Sequence, residues 1–179
     1  MTQSCSTLLK SDRIVLRAPE PDDLDIMTEW ENDTRLWRIG STVAPYSRHC
    51  LKKYIDNYCG DIFADQQLRL MVTEISTGGT IGAVDIFEFD PLNLRAAVGI
   101  IISESVRKQG FGRESLELTA DYCRRRLGLH QLYCLVPEDN EISLSLFKSV
   151  GFTITGRLRS WLREGRSYRD VFTLQLLLV

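Results

Sequence analysis

A short glycine-containing loop constrains the fold of this chain more than any other segment. The loop occupies residues 107–112 (RKQGFG) and joins an apolar, strand-like run at residues 98–102 to a helix-like run that starts at Phe111. A loop of this kind leaves backbone N–H groups unpaired at a helix N-terminus, and the helix dipole makes that end attractive to a diphosphate. The sequence therefore predicts a strand–loop–helix unit that binds a nucleotide-like cofactor.

Two familiar phosphate-binding motifs do not match this loop. A Walker loop ends in Gly-Lys-Ser/Thr, whereas Gly112 is followed by Arg113 and Glu114. A dinucleotide-binding fingerprint requires a third glycine at the position that Ser115 occupies. Both nucleotide-hydrolase and dinucleotide interpretations therefore fail at specific residues.

The loop does match the pattern Arg/Gln-x-x-Gly-x-Gly/Ala, and a second motif follows it after one helix and one strand. Residues 140–152 read NEISLSLFKSVGF, which is similar to Asn-x-x-Ala/Ser followed by Gly-Phe. With these two motifs, the chain resembles the GNAT superfamily of acetyl-CoA-dependent N-acetyltransferases. Further likeness lies in Leu16-Arg17, in residues 81–88 and in the turn at residues 165–170.

The resemblance runs from about residue 11 to the C-terminus. It is closest to the branch that holds spermidine N-acetyltransferases and ribosomal-protein N-terminal acetyltransferases. A chain of 179 residues with 44% apolar content has the size and core of one domain. We therefore expect one GNAT acetyltransferase domain at residues 11–179, preceded by an N-terminal segment at residues 1–10.

Apolar periodicity predicts where helices and strands lie. Strands are expected at residues 13–17, 70–75, 80–89, 96–102, 132–135, 152–162 and 167–178. Helices are expected to begin at Pro21, near Ser47 and at Phe111, and to occupy residues 141–149. Residues 31–45 show no clear period, and we expect an irregular acceptor-binding loop there.

This order of elements predicts an α/β (α+β) fold with a mixed, mostly antiparallel sheet of about seven strands and about four flanking helices. The resemblance implies the same architecture. It also implies that the strand ending near Ile102 and the strand ending near Leu135 splay apart. The pantetheine arm of coenzyme A would enter the slot between them.

Charge and composition argue against several other partners. The formal net charge of −2 and the pI near 5.7 offer no broad basic surface, so no nucleic-acid partner is expected. The sequence lacks a run of ~20 apolar residues and a signal-peptide pattern, so we expect a cytoplasmic protein without a membrane partner. The five cysteines form no Cys-x-x-Cys pair and there are only two histidines, so no metal is expected.

The resemblance assigns the coenzyme A site. It implies that loop amides hold the pyrophosphate of acetyl-CoA, the cosubstrate, and that an amide of the fourth strand polarises the thioester carbonyl. Asn140 would hold the pantetheine or an ordered water, although an Asn before a short helix is also a typical N-cap. The expected cofactor-binding residues are Ile100, Ile101, Ile102, Arg107, Lys108, Gln109, Gly110, Phe111, Gly112, Arg113, Asn140 and Phe147.

Acetyl transfer to an amine also needs a proton acceptor, because an aliphatic ammonium has a pKa near 10. Asp85 and Glu88 on the third strand are the candidates, with solvent exposure at the sheet edge as the alternative for each. Many relatives carry a proton-donating tyrosine at the position of Phe147, which has no proton to give. Ser143, one helical turn earlier, is a third candidate catalytic residue that would relay a proton through water.

The acceptor is expected to be a primary amine that attacks the thioester directly. A polyamine such as spermidine is the first choice, with Glu29, Glu31 and Asp33 as candidate substrate-binding residues. The N-terminus of a peptide or ribosomal protein is the alternative, and a non-catalytic coenzyme A-binding module is the alternative from another class. Oligomeric state stays open, because the branch includes homo-oligomers and monomers.

Overall fold

One seven-stranded sheet organises the protein. The computed structural model describes residues 8–40 and 42–178, and within residues 38–40 it describes the backbone alone. The strand order is β1-β2-β3-β4-β5-β7-β6, and every neighbouring pair is antiparallel except β4 and β5. The strands are β1 Ile14–Arg17, β2 Leu68–Glu74, β3 Thr80–Asp90, β4 Arg95–Ile102, β5 Gln131–Pro137, β6 Thr153–Glu164 and β7 Ser167–Leu177. The predicted mixed sheet is confirmed.

The described residues contain six α-helices rather than about four. They are α1 Leu24–Asn32, α2 Thr34–Gly40, α3 Arg48–Asp56, α4 Ile62–Asp65, α5 Phe111–Arg125 and α6 Glu141–Ser149. The sequence analysis missed α2 and α4, which are too short to show an apolar period. A hydrogen bond to the end of α1 holds α2, since the indole nitrogen of Trp37 donates to the carbonyl of Glu31 at 2.7 Å. The side chain of Asp61 caps α4 by accepting from the amides of Phe63 and Ala64.

The two faces of the sheet bury different helices. On one face, called the α5 side, strand residues such as Val84 and Ile86 pack with Phe111 and Leu116 of α5. On the other face, called the α1 side, Ala83 packs with residues of α1 and α3, among them Met27 and Ile55. Successive residues of a strand point to opposite faces of the sheet, so alternate residues contact the helices of the α5 side and those of the α1 side.

The parallel pair of β4 and β5 is short. Only Arg95–Ala97 of β4 pair with Gln131–Tyr133 of β5, although both strands continue for several residues. Past these pairs the strands diverge and leave a slot between Ile102 and Pro137. This divergence is the splay that the resemblance implied.

A buried ion pair ties β1 to the start of α1 and to β3. Asp23 is 1% exposed and accepts two bonds from the guanidinium of Arg17, at 2.6 and 2.9 Å. The Thr80 hydroxyl and the Glu20 amide also donate to Asp23. Burial alone would raise the pKa of Asp23, but these donors outweigh it and hold the pKa below its ordinary value.

We predict that Asp23→Asn lowers the free energy of unfolding by about 3 kcal/mol, because it leaves Arg17 without its counter-charge. The stabilisation is fully present above about pH 4, and it is lost as the pH falls through the lower pKa of the folded state. Urea denaturation at pH 7 measures the effect. Asp22→Asn, at an exposed position of the same turn, is the matched control. Equal stability of both variants would contradict a role for the buried pair.

Candidate active site

The glycine loop presents a row of free amides at the outer end of the slot. It follows β4 and a single 3-10 turn, Glu104–Val106, and leads into α5. Lys108 and Gly110 both have left-handed backbones, with φ of 63° and 88°. Among the described residues, the backbone N–H groups of residues 108–113 find no acceptor. Such a set of consecutive amides at a helix N-terminus, here called the amide cradle (residues 108–113), is suited to bind an anion.

Arg13, next to the first strand, holds the cradle in place. Its guanidinium donates to the carbonyl of Gln109 at 3.1 Å and to Glu114, and it lies 4.7 Å from the ring centre of Phe111. A β-carbon on Gly112 would lie 3.2 Å from Leu146 of α6, so this glycine lets α5 and α6 approach closely. The sequence analysis missed Arg13, because nothing in the sequence indicates that residues so far apart meet.

The cationic side chains around the cradle differ in their availability. Arg107 donates back to the carbonyl of Ile102 at 3.0 Å, and Arg113 pairs with Glu117 at 2.8 Å. Lys108 is exposed and has no partner among the described residues. The amides are therefore the better-defined part of the site, and Lys108 is a cation beside them that no described residue pairs with.

The backbone of β4 offers amides to the slot at alternate residues. The Ser103 amide donates to Ile81 of β3 at 2.9 Å, so the Ile101 amide also faces β3. By the same alternation, the amides of Ile100 and Ile102 face the slot. The expectation for Ile101 is thus corrected, since its amide is turned into the sheet and its side chain packs on the α1 side.

On α6, Asn140 acts as the helix N-cap. Its carbonyl oxygen accepts from the amide of Ser143 at 3.1 Å. Its side-chain N–H groups and the Ser143 hydroxyl have no partner among the described residues, so both stay available to a ligand. Phe147 is 4% exposed and packs edge-on against Phe152 at 5.1 Å. Phe147 is therefore part of the core, and its assignment as a cofactor contact stays a prediction.

A cluster of one arginine and two carboxylates lies on the α1 side. Arg69 of β2 binds Asp85 through two bonds of 2.8 and 2.9 Å and binds Glu31 at 2.5 Å. The three side chains are 18%, 22% and 23% exposed, respectively. Burial alone would lower the pKa of Arg69, but the two carboxylates raise it above its ordinary value. Both oxygens of Asp85 are engaged, so Asp85 is not a free proton acceptor, and Glu31 is not a free ligand for a polycation.

The other two acidic candidates, Asp33 and Glu29, differ in whether they are paired with an arginine. Asp33 pairs with Arg35 at 2.7 Å, and hydrogen bonds from Arg35 hold the pKa of Asp33 below its ordinary value. Arg35 also binds Glu104 at 2.9 Å, which connects α2 to the start of the glycine loop. Glu29 is exposed and has no partner among the described residues.

Glu88 lies at the inner end of the slot. Its backbone is left-handed, with φ of 49°, within an irregularity of β3 between Phe87 and Asp90. The hydroxyl of Tyr133 on β5 donates a hydrogen bond to the Glu88 carboxylate. Burial, with the nearby carboxylate, raises the pKa of Tyr133 to about 12, so the phenol stays protonated at neutral pH. The sequence analysis missed Tyr133, which carries no motif signal.

A cleft of about 260 Å³ adjoins the outer end of the slot between α2, Asn140 and the β6–β7 hairpin. Three arginines and two carboxylates line it, namely Arg35, Arg163, Arg169, Asp139 and Glu164. Arg169 pairs with both of these carboxylates. Arg163 has no carboxylate partner among the described residues and donates to the carbonyl of Gly165.

The described residues lack the features of three other kinds of site. Residues 8–40 and 42–178 hold no cluster of His, Cys, Asp and Glu side chains with the geometry of a metal site. No helix in these ranges has the length and apolar character of a membrane span. Burial raises the pKa of Cys123 and Cys134 to about 12, so neither is a thiolate nucleophile at neutral pH.

Comparison with known proteins identifies the family and its relatives. A family model described as an acetyltransferase (GNAT) domain matches residues 13–153. The spermidine N(1)-acetyltransferase of Escherichia coli is 27% identical over 161 residues, which cover 90% of this chain and 84% of that protein. An N-acetyltransferase 9-like protein of Nematostella vectensis is 39% identical over 100 residues, 55% of this chain and 50% of its own length. The crystal structure of spermidine N-acetyltransferase from Vibrio cholerae with CoA and spermine superposes with a TM-score of 0.82 at 25% identity, covering 94% of this chain and 97% of that one.

We predict that Arg69→Met destabilises the fold by about 3 kcal/mol, because Asp85 and Glu31 are left close together without their cation. Urea denaturation measures the loss. The matched control is Arg95→Met on β4, which removes an ion pair whose arginine is 49% exposed and is expected to cost less than about 1 kcal/mol. Equal losses in the two variants would contradict the special role of the Arg69 cluster.

Proposed function

Because the chain belongs to the GNAT acetyltransferase family over residues 13–153, we propose that it transfers an acetyl group from acetyl-CoA to a primary amine. The amide cradle at the outer end of the slot is the observation that carries this proposal. It offers several unpaired donors at the N-terminus of α5, where the helix dipole adds to their attraction for phosphate.

The residues present fit a coenzyme A group. The cradle amides would hold its pyrophosphate, with Lys108 as the available cation. The amides of Ile100 and Ile102 and the side-chain N–H groups of Asn140 would face its pantetheine arm inside the slot. When bound, acetyl-CoA supplies a thioester whose carbonyl carbon is open to attack by an amine.

Among the carboxylates, Glu88 is the best-placed proton acceptor for the attacking amine. Asp85 is bound at both oxygens by Arg69, whereas Glu88 is exposed at the inner end of the slot. In the reaction the amine nitrogen forms a bond to the carbonyl carbon, its proton passes to Glu88, and the carbon–sulfur bond breaks. Phe147 has no proton to give the departing thiolate, so Ser143 or solvent supplies it. Cys123 and Cys134 are buried thiols, so neither is proposed as an acetyl carrier.

A polyamine is the first proposed acceptor. The support is the similarity over 90% of the chain to a protein named spermidine N(1)-acetyltransferase, and to a solved relative that holds CoA and spermine. Glu88 and Glu29 are exposed acidic candidates that have no arginine partner in the described ranges, and we propose that a polycation would meet them.

One observation favours a peptide N-terminus as the second candidate. The cleft beside Asn140 is lined by three arginines and two carboxylates, and Arg163 has no acidic partner in the part of the chain that the structure describes. A polycation is repelled by such a cleft, whereas the backbone carbonyls or acidic side chains of a peptide are attracted by it.

We predict that acetyl-CoA binds the protein and that Lys108→Glu weakens this binding about tenfold, which corresponds to ~1.4 kcal/mol, because a negative charge is placed beside the cradle. Isothermal titration calorimetry measures both affinities. The matched control, Lys53→Glu on α3, reverses an equally exposed charge away from the cradle and is expected to bind as the unmodified protein does. Absence of acetyl-CoA binding by the unmodified protein would overturn the proposed function.

A panel of amines tests the acceptor. With acetyl-CoA and detection of the released thiol, we expect turnover of spermidine or spermine and no turnover of short peptides. Turnover of peptides alone would transfer the assignment to the second candidate. Tight binding of acetyl-CoA without turnover of any amine, including aminoglycosides and amino sugars, would instead support a non-catalytic coenzyme A-binding module.

A further inference from the structure

A bulge in β3 turns Glu88 toward the α1 side. Phe87 pairs with Ala97 and Asp90 pairs with Arg95, so two residues of β3 stand opposite the single residue Ala96. Before the bulge, Val84 and Ile86 point to the α5 side; after it, Phe89 does so too, although regular alternation would give it the other face. The extra residue therefore reverses the alternation, and Glu88 joins the face of Asp85.

Tyr133 reaches the same face from the neighbouring strand. Its neighbours Leu132 and Cys134 belong to the α5-side core, so its own ring points to the α1 side. Its hydroxyl is the only hydrogen-bond donor to the Glu88 carboxylate among the described residues. Because its pKa of about 12 keeps the phenol protonated, it donates to the carboxylate throughout the neutral range.

This contact lies where the slot closes. Tyr133 and Ala97 form the last pair of β4 with β5, and the strands diverge beyond them. From Ala97 to Ile102, beside the cradle, β4 spans ~17 Å at about 3.3 Å per residue. A carboxylate at the closed end is thus well separated from the anion site at the open end.

Glu88 has a costly backbone conformation that the contact stabilises. A left-handed conformation at a residue other than glycine costs on the order of 1 kcal/mol or more and is found where the surrounding structure enforces it. Here the enforcing contacts are the bulge itself and the bond from Tyr133. Bulges next to active sites re-aim a side chain in this way.

We propose that Tyr133 is the positioning residue of the reaction, which holds the Glu88 carboxylate toward the acceptor amine at the closed end of the slot. The proposal rests on the proposed function and adds to it a residue that does not itself exchange a proton. The proton of the amine passes to Glu88, and the phenol keeps its own proton throughout.

A double-mutant cycle of Tyr133→Phe and Glu88→Gln tests this proposal. Tyr133→Phe keeps the ring but removes the donor, and we expect kcat to fall roughly 10- to 100-fold with unchanged affinity for acetyl-CoA by calorimetry. Glu88→Gln is expected to cost about 10²- to 10⁴-fold. In the Glu88→Gln background, Tyr133→Phe is expected to cost less than about twofold, since a residue that acts through Glu88 has nothing left to position.

Tyr122→Phe on α5 is the matched control, because its hydroxyl has no partner among the described residues and lies away from the slot. Its kcat is expected to equal that of the unmodified protein. If Tyr133→Phe lowers kcat by the same factor with and without Glu88, the proposal is overturned. It is also overturned if Tyr133→Phe leaves kcat unchanged when Glu88 is present. A protein that acetylates no amine at all would overturn the proposed function instead, so the two failures are distinct. Thermal unfolding of each variant shows whether it is folded.

Discussion

The short parallel pairing of β4 with β5 is the constraint on which the rest of the site depends. Hydrogen bonding ends after three residue pairs, and each strand then keeps its antiparallel partner on the far side. A sheet that stayed closed would use the β4 amides in its own ladder. Because it opens, the amides of Ile100 and Ile102 face a slot whose outer end is the amide cradle and whose inner end is marked by Tyr133.

Burial of charged side chains determines which carboxylates on the α1 side are free. A lone carboxylate within the sheet would be costly, so the structure provides Arg69, which binds Asp85 and Glu31 together. These two acids therefore serve the packing of β2, β3 and α1. Glu88 is different, because its partner is a neutral phenol that leaves its charge uncompensated.

The sequence predicted the regular parts of this fold well and the contacts between them poorly. The strand–loop–helix unit and the bounds of α6 are as expected, because both rest on local patterns of apolar residues and caps. The short helices α2 and α4 were not predicted, because neither is long enough to show an apolar period. Asp85, Ile101 and Phe147 were assigned to the site from their positions along the chain. The structure adds contacts that those positions do not reveal: Asp85 binds Arg69, Ile101 packs on the α1 side, and Phe147 packs against Phe152.

The sequence by itself determined the family, the mixed sheet and the location of the amide cradle, since each follows from residues that are neighbours along the chain. Only the tertiary structure decided which polar groups remain free. Arg13 and Gln109, Arg69 and Glu31, and Tyr133 and Glu88 are far apart in sequence, and strand register and the β3 bulge bring them together. Hydrogen bonds and ion pairs form only when two atoms lie about 3 Å apart. The sequence pattern of one strand does not give the distances between its side chains and those of another strand.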